Sequence, residues 1–552
     1  MGSPLGGPTS SIMIWRYIVK HSLKILFLGL LCALSVYVFV FLIAKGLYVP
    51  AVMPLIGSGL ISYIFLSEKR YPIRWLVPGL LFLTVMVVYP IGYTFVSSFT
   101  NVGTGHMLSK EQAIAQLLSR AYVPDDATTY SYLVFANEGG DIALILEAEE
   151  ERILYVQGTA SEIAVDDPRL IDEDGDGQPD RFSEYERLSI PQIVPLLSIL
   201  ETYRIDYNGA TIGIESLNEF RTRAPLYVYD GEAETITDQR TGVAFTAVEG
   251  IFTAENGDEV YPGYRVSVGL RNYIDLIKNP QVSGPFAMVF GWTFVFATLT
   301  VLLNFALGLA TAILLNDPFL RFRTLYRVLM IIPYALPAFI TILVWRGMLN
   351  QHFGIINKLI VSAAATIDYV VNYIAIHAFN TTAIVFGDVA KIPWLSNGMW
   401  AKASVLLLNL WLGYPYMMLI SLGALQSIPT SLYEAARVDG ASWWQRFWKI
   451  TLPLLMMPLA PLLVGAFAFN FNNFTLIWLL TEGRPAIAGA VTPAGQTDIL
   501  ISYTYRLAFE GARGNQMGLA AAVAVMIFVI IATISAFNFR MTGTLDELSK
   551  NV

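Results

Sequence analysis

Three asparagines and four phenylalanines fall within nine residues, Ala466-Phe467-Ala468-Phe469-Asn470-Phe471-Asn472-Asn473-Phe474, inside a segment otherwise apolar enough to lie in a bilayer. A carboxamide in hydrocarbon is costly and needs a partner, either a ligand or a neighbouring helix. At 100° per residue Asn470 and Asn473 share a helix face while Asn472 points elsewhere. Asn470 and Asn473 are therefore assigned to a ligand, and Asn472 to a bond between helices. The preceding apolar segment offers Asn409, Gly413 and Tyr416 at helical spacing. The one before it offers Tyr334, Ala338, Thr341 and Trp345 behind Pro333 and Pro337, which should kink it. Amides, a hydroxyl and aromatic faces without a buried charge suit a neutral polyhydroxylated molecule, whereas an ion or an amino acid would call for a charge.

A second constellation is Asp172-x-Asp174-x-Asp176-Gly177-x-x-Asp180. Carboxylates at alternate positions around a glycine resemble the calcium loops of EF-hand-like and dockerin-like proteins. The twelfth position is Ser183, not an acid, with Glu184 beside it. Three readings stand: a calcium site, a plain acidic turn, or the metal-binding D-x-D of a sugar-transferring enzyme. The chain has no G-x-x-x-x-G-K-[ST] loop, so ATP and its magnesium have to be held by another chain. Its single cysteine, Cys32, excludes an intrachain disulfide and a thiolate cluster. His21, His106, His352 and His377 are scattered singly and read as loop or packing residues.

The third constellation is polar and lies between two apolar segments. Ser431 and Glu434 have the spacing of a capping box, which predicts a helix starting near Leu432. Ala435 and Ala436 give that helix a small-residue surface able to sit in a partner's cleft, and Asp439-Gly440 ends it after about two turns. Trp443, Trp444, Phe447 and Trp448, with Arg446 and Lys449, then read as an amphipathic run at a membrane surface, before Pro453 opens the next membrane helix.

These residues need a membrane frame, and composition supplies one. Of 552 residues 55% are hydrophobic and 14% charged, too apolar for a soluble protein. The net charge of −8 divides sharply: 32 acidic and 13 basic residues lie between Asn101 and Gly284, against 11 acidic and 22 basic elsewhere. One acidic soluble domain is set into a basic membrane frame. Eight spans are expected, at Ile25–Ala44, Leu47–Leu66, Trp75–Phe99, Pro285–Leu315, Val328–Leu349, Ala401–Leu425, Ile450–Leu480 and Met517–Phe539. Segment 354–391 is assigned to external re-entrant or surface structure. With eight spans the clusters Arg321/Arg323/Arg327, Arg437/Arg446/Lys449 and Arg540 share a side with the N-terminal cations, which places both termini and the Glu434 loop in the cytoplasm. The domains expected are 1–74 with two accessory spans, 75–99 as the first core helix, 100–284 as an external α+β insert, 285–540 as the core with its loop at 428–453, and a tail at 541–552. Within the insert Tyr132–Phe135, Ile142–Leu146, Leu154–Gln157 and Pro225–Tyr229 read as strands, Leu108–Leu118 and Glu184–Ile205 as helices.

Glu434-Ala435-Ala436, Gly440 and Ile450-x-Leu452-Pro453 resemble the EAA loop of ABC importer permeases, a coupling helix held in a groove of the ATPase subunit. Further matches at Leu412–Met418, Phe467–Phe474, Thr492–Gly495, Tyr503–Arg506 and Phe509–Gly511 are similar to the larger permease subunit of maltose/maltodextrin importers. The resemblance implies the type I importer permease core, an insert that is partly immunoglobulin-like, and a bacterial inner-membrane location. It implies a heterodimer with a smaller permease subunit, an ATPase dimer, and an external sugar-binding protein docking on the insert and near Tyr503, with no nucleic acid and no enzyme activity in this chain. Carried over, the sugar site is Tyr334, Gly413, Tyr416, Asn470 and Asn473, and the coupling site is Glu434, Ala435, Ala436, Asp439 and Gly440. Ala338 and Ala466 depart from the pattern where hydroxyls would be expected, and so does the insertion around 354–391. An ion-coupled carrier would need intramembrane carboxylates or inverted repeats, which the core spans lack. A membrane-anchored enzyme acting through the acidic insert would leave the Glu434 loop unexplained.

Overall fold

Proline placement decides where the long helices change course. In the computed structural model, which describes residues 9–44, 48–67, 69, 71–149, 151–173, 175, 177–379, 381–382, 384–387, 391–511 and 514–550, the chain forms two units, Met1–Phe95 and Val96–Val552. Helices Thr9–Ala44 (α1), Tyr48–Leu66 (α2) and Tyr71–Leu83 (α3) come first. A π-helical turn, Thr84–Val88, leads into Tyr89–Ser97 (α4). Pro90 has no N–H to give, and its ring crowds the carbonyl four residues back, so the ladder widens by one residue just before it.

The insert contains two antiparallel sheets. One is a five-stranded meander over Tyr227–Asp230, Thr235–Asp238, Ala244–Val248, Ile251–Thr253 and Glu259–Val260. The larger runs in the order Thr159–Glu162, Arg152–Val156, Ile142–Glu147, Thr129–Ala136, Glu219–Pro225, Ala210–Ser216, Ile205–Tyr207, with shorter strands off this path. Its central strands are buried on both faces, Leu144 and Leu146 against one cluster, Ala143 and Ile145 against another. Lys110–Leu118 (α5) begins at a Ser109–Gln112 capping box. Glu184–Ile205 is not the helix expected. It starts as a strand, Tyr185–Arg187, and continues as Ile190–Ile193 (α6), with Pro191 in its first turn, then a 3-10 turn and Leu197–Leu200 (α7), because Pro195 interrupts the ladder.

Insert and core belong to one unit. Arg271–Lys278 (α8) leads directly into Pro280–Asn316 (α9). From α8, Asn272 donates to the carbonyls of Ser98 and Thr100 at 2.9 Å each, and the Tyr273 hydroxyl bonds Ser98 at 2.7 Å.

Arg323–Ala335 (α10) and Ala338–Met348 (α11) meet at 89°. Pro337 forces Leu336 to an extended backbone, so the expected kink is a full break. Segment 354–391 departs from its assignment: it holds a 25-residue helix, Ile355–Phe379 (α12), apolar enough to cross a membrane. Yet the chain doubles back beside it. Asp368 accepts from the amides of Val385, Phe386 and Gly387, and Asn357 at the helix start bonds both the N–H and the carbonyl of Ile392. Both ends of this excursion therefore sit at one level. Gly398–Gln426 (α13), Thr430–Val438 (α14), Trp443–Arg446 (α15) and Leu452–Phe471 (α16) follow. The last two are one run through a π turn, Phe447–Thr451, widened ahead of Pro453. The aromatic run is thus no separate surface helix, and Pro453 does not open a new one. The expected span to Leu480 also breaks, at Asn472, giving Phe474–Thr481 (α17), then Leu500–Phe509 (α18) and Met517–Lys550 (α19). Among the described residues seven helices are long and apolar enough to span, eight with the bent α10–α11 pair; α12 is among them, whereas α2 ranks as a shorter apolar helix.

Candidate functional site: an amide-lined cavity and a short exposed helix

The bend between α10 and α11, the middle of α13 and the broken end of α16 enclose a cavity of about 940 Å³. Tyr334, Gly413, Tyr416, Asn470 and Asn473 all line it, as do Asn409 and Asn472. The Tyr334 and Tyr416 rings stack at 6.2 Å between centroids, 25° from coplanar. Among the described residues no acidic or basic side chain lines this wall. Its size falls in the ordinary range of small-molecule sites.

The amides reach the wall differently from what a shared helix face predicts. Asn473 caps α17, accepting from the Leu476 amide at 3.3 Å, which leaves its NH₂ uncommitted. Asn470 stays on α16, buried; its oxygen accepts from Asn409 Nδ2 at 2.8 Å and its own Nδ2 donates to the Ala466 carbonyl at 2.8 Å. The bond between helices expected of Asn472 is therefore made by Asn470, while Asn472 ends α16 at its C-cap. Asn409 in turn accepts from Asn304 of α9 at 3.2 Å. Sequence reasoning passed over Asn304, although a lone amide in the apolar run Val301-Leu302-Leu303-Asn304-Phe305 was a visible signal. Ala338 and Ala466 lie in the wall, where they add no hydroxyl.

The coupling motif occupies α14. Pro429, with φ already at −60°, starts this helix at Thr430, so Ser431 lies inside the first turn and the Ser431–Glu434 capping box does not form. The box is made at Ser442 and Gln445 instead. Gly440, at φ +76°, ends α14 in a Schellman motif, with Gly440 N–H on the Arg437 carbonyl and Ala441 N–H on Ala436. Glu434, Ala435, Asp439 and Gly440 are exposed and Ala436 is half-buried. On the other face Tyr433 packs into the core, and its hydroxyl bonds Thr451 of the π turn at 3.0 Å. Tyr433 thereby joins α14 to the root of α16, whose far end carries Asn470.

In the acidic loop, Asp174 and Asp176 lie outside the described residues. Asp172 accepts from the amides of Gly175 and Gly177, and Asp180 from that of Glu173. Tyr503, implied to lie near a docking loop, is fully buried; Tyr505 and Phe509 of α18 are exposed.

A bundle of bent and broken apolar helices around an amide-lined cavity, with a short exposed helix between two of them, has the features of a permease subunit of binding-protein-dependent ABC importers. Residues 304–540 match the family described as binding-protein-dependent transport system inner membrane component, and residues 81–161 match the N-terminal of TM subunit in PBP-dependent ABC transporters. The chain is 36% identical to the maltose/maltodextrin transport system permease protein MalF of Klebsiella aerogenes, over 93% of this chain and 95% of that one. It is also 36% identical to MalF of Escherichia coli strain K12, over 95% and 97%. The chain belongs to the MalF family, as a multi-pass membrane permease. Among solved structures, a bacterial ABC transporter involved in import of the acidic polysaccharide alginate is 22% identical over 50% of this chain and 84% of that chain, with a TM-score of 0.39.

Proposed function

We propose that this chain lines the translocation path for maltose, a maltodextrin or a closely related oligosaccharide. The observation that carries this reading is the uncharged cavity in which Tyr334, Tyr416, Asn470 and Asn473 meet. Amides there can give and take hydrogen bonds with sugar hydroxyls, and the tyrosine rings cover the apolar faces of pyranoses. The names of these relatives, both maltose/maltodextrin permeases, support the same substrate class. In this reading a smaller permease subunit completes the path, an external binding protein delivers the sugar, and an ATPase dimer receives α14. Both termini and α14 face the cytoplasm and the acidic insert faces outward. Closure of the ATPase moves α14, and through Tyr433 and Thr451 it tilts α16 to alternate access to the cavity. Co-expression with candidate smaller permease and ATPase chains, followed by proteoliposome uptake of an α-glucoside panel, tests it. ATP-dependent uptake of a maltodextrin, lost in Glu434→Ala although the complex still assembles, is the expected result. ATP-independent uptake, or a Glu434→Ala complex as active as the parent, would reject it.

A further inference from the structure

Asn304 stands behind the cavity wall on α9, with 4% of its surface exposed. Its Nδ2 donates to Asn409 Oδ1, Asn409 Nδ2 donates to Asn470 Oδ1, and Asn470 Nδ2 donates to the Ala466 carbonyl. One run of amides thus joins α9, α13 and α16. A backbone carbonyl can only accept, so Asn470 must turn its NH₂ toward Ala466 and its oxygen toward Asn409. At the other end of the run the Asn304 N–H holds the Asn409 oxygen, so the Ala466 carbonyl and the Asn304 N–H together set the direction in which the carboxamides point.

Gly413 makes the approach possible. A Cβ at that position would stand 2.9 Å from Asn304 Cγ and closer still to its Nδ2. The glycine is therefore a slot for the α9 amide as well as part of the cavity wall. Stability does not account for the amide, because Asn304 Oδ1 is buried without a hydrogen-bond partner. That orphaned oxygen is a cost a leucine of similar volume would not carry. What leucine could not supply is the N–H given to Asn409.

We propose that Asn304 is a positioning residue for sugar recognition: its N–H holds Asn409 and Asn470 in the orientation that leaves each one uncommitted N–H to offer a hydroxyl oxygen in the cavity. The site then presents donors from α13 and α16, and the tyrosine and Asn473 groups complete it. This inference rests on the sugar reading of the cavity.

The test is binding of radiolabelled maltose to the purified permease–ATPase complex without the binding protein, alongside ATPase rate and thermal stability. Asn304→Leu should raise the dissociation constant roughly tenfold, the effect of one lost recognition bond, while maximal ATPase rate stays within twofold and stability is unchanged or higher. Asn304→Asp, which puts an acceptor where a donor is needed, should weaken binding further. Gly413→Ala should weaken binding in the parent and add little to Asn304→Ala, because both displace the same amide. Unchanged maltose binding in Asn304→Leu and Asn304→Asp complexes, or a loss confined to stability and maximal rate, overturns the proposal while leaving the sugar reading intact. If the parent complex neither binds maltose nor, supplied with its binding protein in proteoliposomes, takes up any α-glucoside of the panel, both readings fall.

Discussion

Asn473 lines the cavity but reaches it by a geometry that helical spacing did not indicate. An amide in an apolar segment is conspicuous, and that singled it out together with Asn470. Placing the two on one face, however, presumes an unbroken helix. In the structure α16 ends at Asn472, and Asn473 reaches the cavity as the cap of a new helix. Its capping role and the proposed contact with sugar can be separated. Asn473→Asp keeps an acceptor for the Leu476 amide and so should leave thermal stability unchanged, yet it removes the NH₂ and should weaken maltose binding. Asn473→Ala loses both and should also cost about 0.5–2 kcal/mol of stability. Equal binding in the two variants and the parent, measured on the purified complex, would show that the cap is its whole contribution. Tyr334, Tyr416 and Gly413 were legible through spacing, whereas Asn304 was not singled out, since a distant helix has to bring it behind Gly413 before its purpose can be seen.

Elements were legible where composition marks them and illegible where one backbone group decides. The small-residue motif announced α14, but its first turn was misplaced because Pro429 supplies a helical φ before Ser431 can cap. Both π turns precede a proline and leave no mark on hydrophobic periodicity. The contact that ties α11 to α17 was equally hidden. Arg346 donates to Glu482 at 2.8 Å and to the Leu479 carbonyl at 3.3 Å. The Arg346 guanidinium holds the Glu482 carboxyl below the usual glutamate range. An unfolded chain therefore binds this proton more readily than the folded one, so stability rises with pH across this titration. The contribution is fully present above the ordinary glutamate value of about 4.3 and is lost as pH falls below it. For a partly exposed pair it is worth below about 1 kcal/mol. Glu482→Gln should flatten the pH dependence of thermal unfolding of the purified complex in this acid range; an unaltered profile would show that the pair contributes nothing.

For the molecule as a whole, charge asymmetry and apolar run lengths disclosed a basic membrane frame carrying an acidic insert. They could not disclose strand order, which depends on pairings between Thr129–Ala136 and Glu219–Pro225, far apart in sequence. Nor could they show that insert and core form one unit, joined by side chains such as Asn272 and by backbone bonds such as Gly518 N–H to the Val102 carbonyl. Segment 354–391 was judged by charge parity alone, which missed the helix. Asn357, 2% exposed, is what reconciles the two: it fastens the beginning of α12 to the chain returning at Ile392 and to the Trp394 indole. That fastening matters while the protein is being made. As the nascent chain emerges, α12 is about 37 Å of apolar helix offered to the insertion machinery before Ile392 and Trp394 have left the ribosome to draw it back. Asn357→Ala should let a fraction of chains thread α12 across the bilayer, so that every later segment enters reversed and Glu434 emerges on the wrong face. Labelling of a cysteine introduced at Asp439 by a membrane-impermeant reagent would count those chains, with none above the parent's background if the return is secured without Asn357.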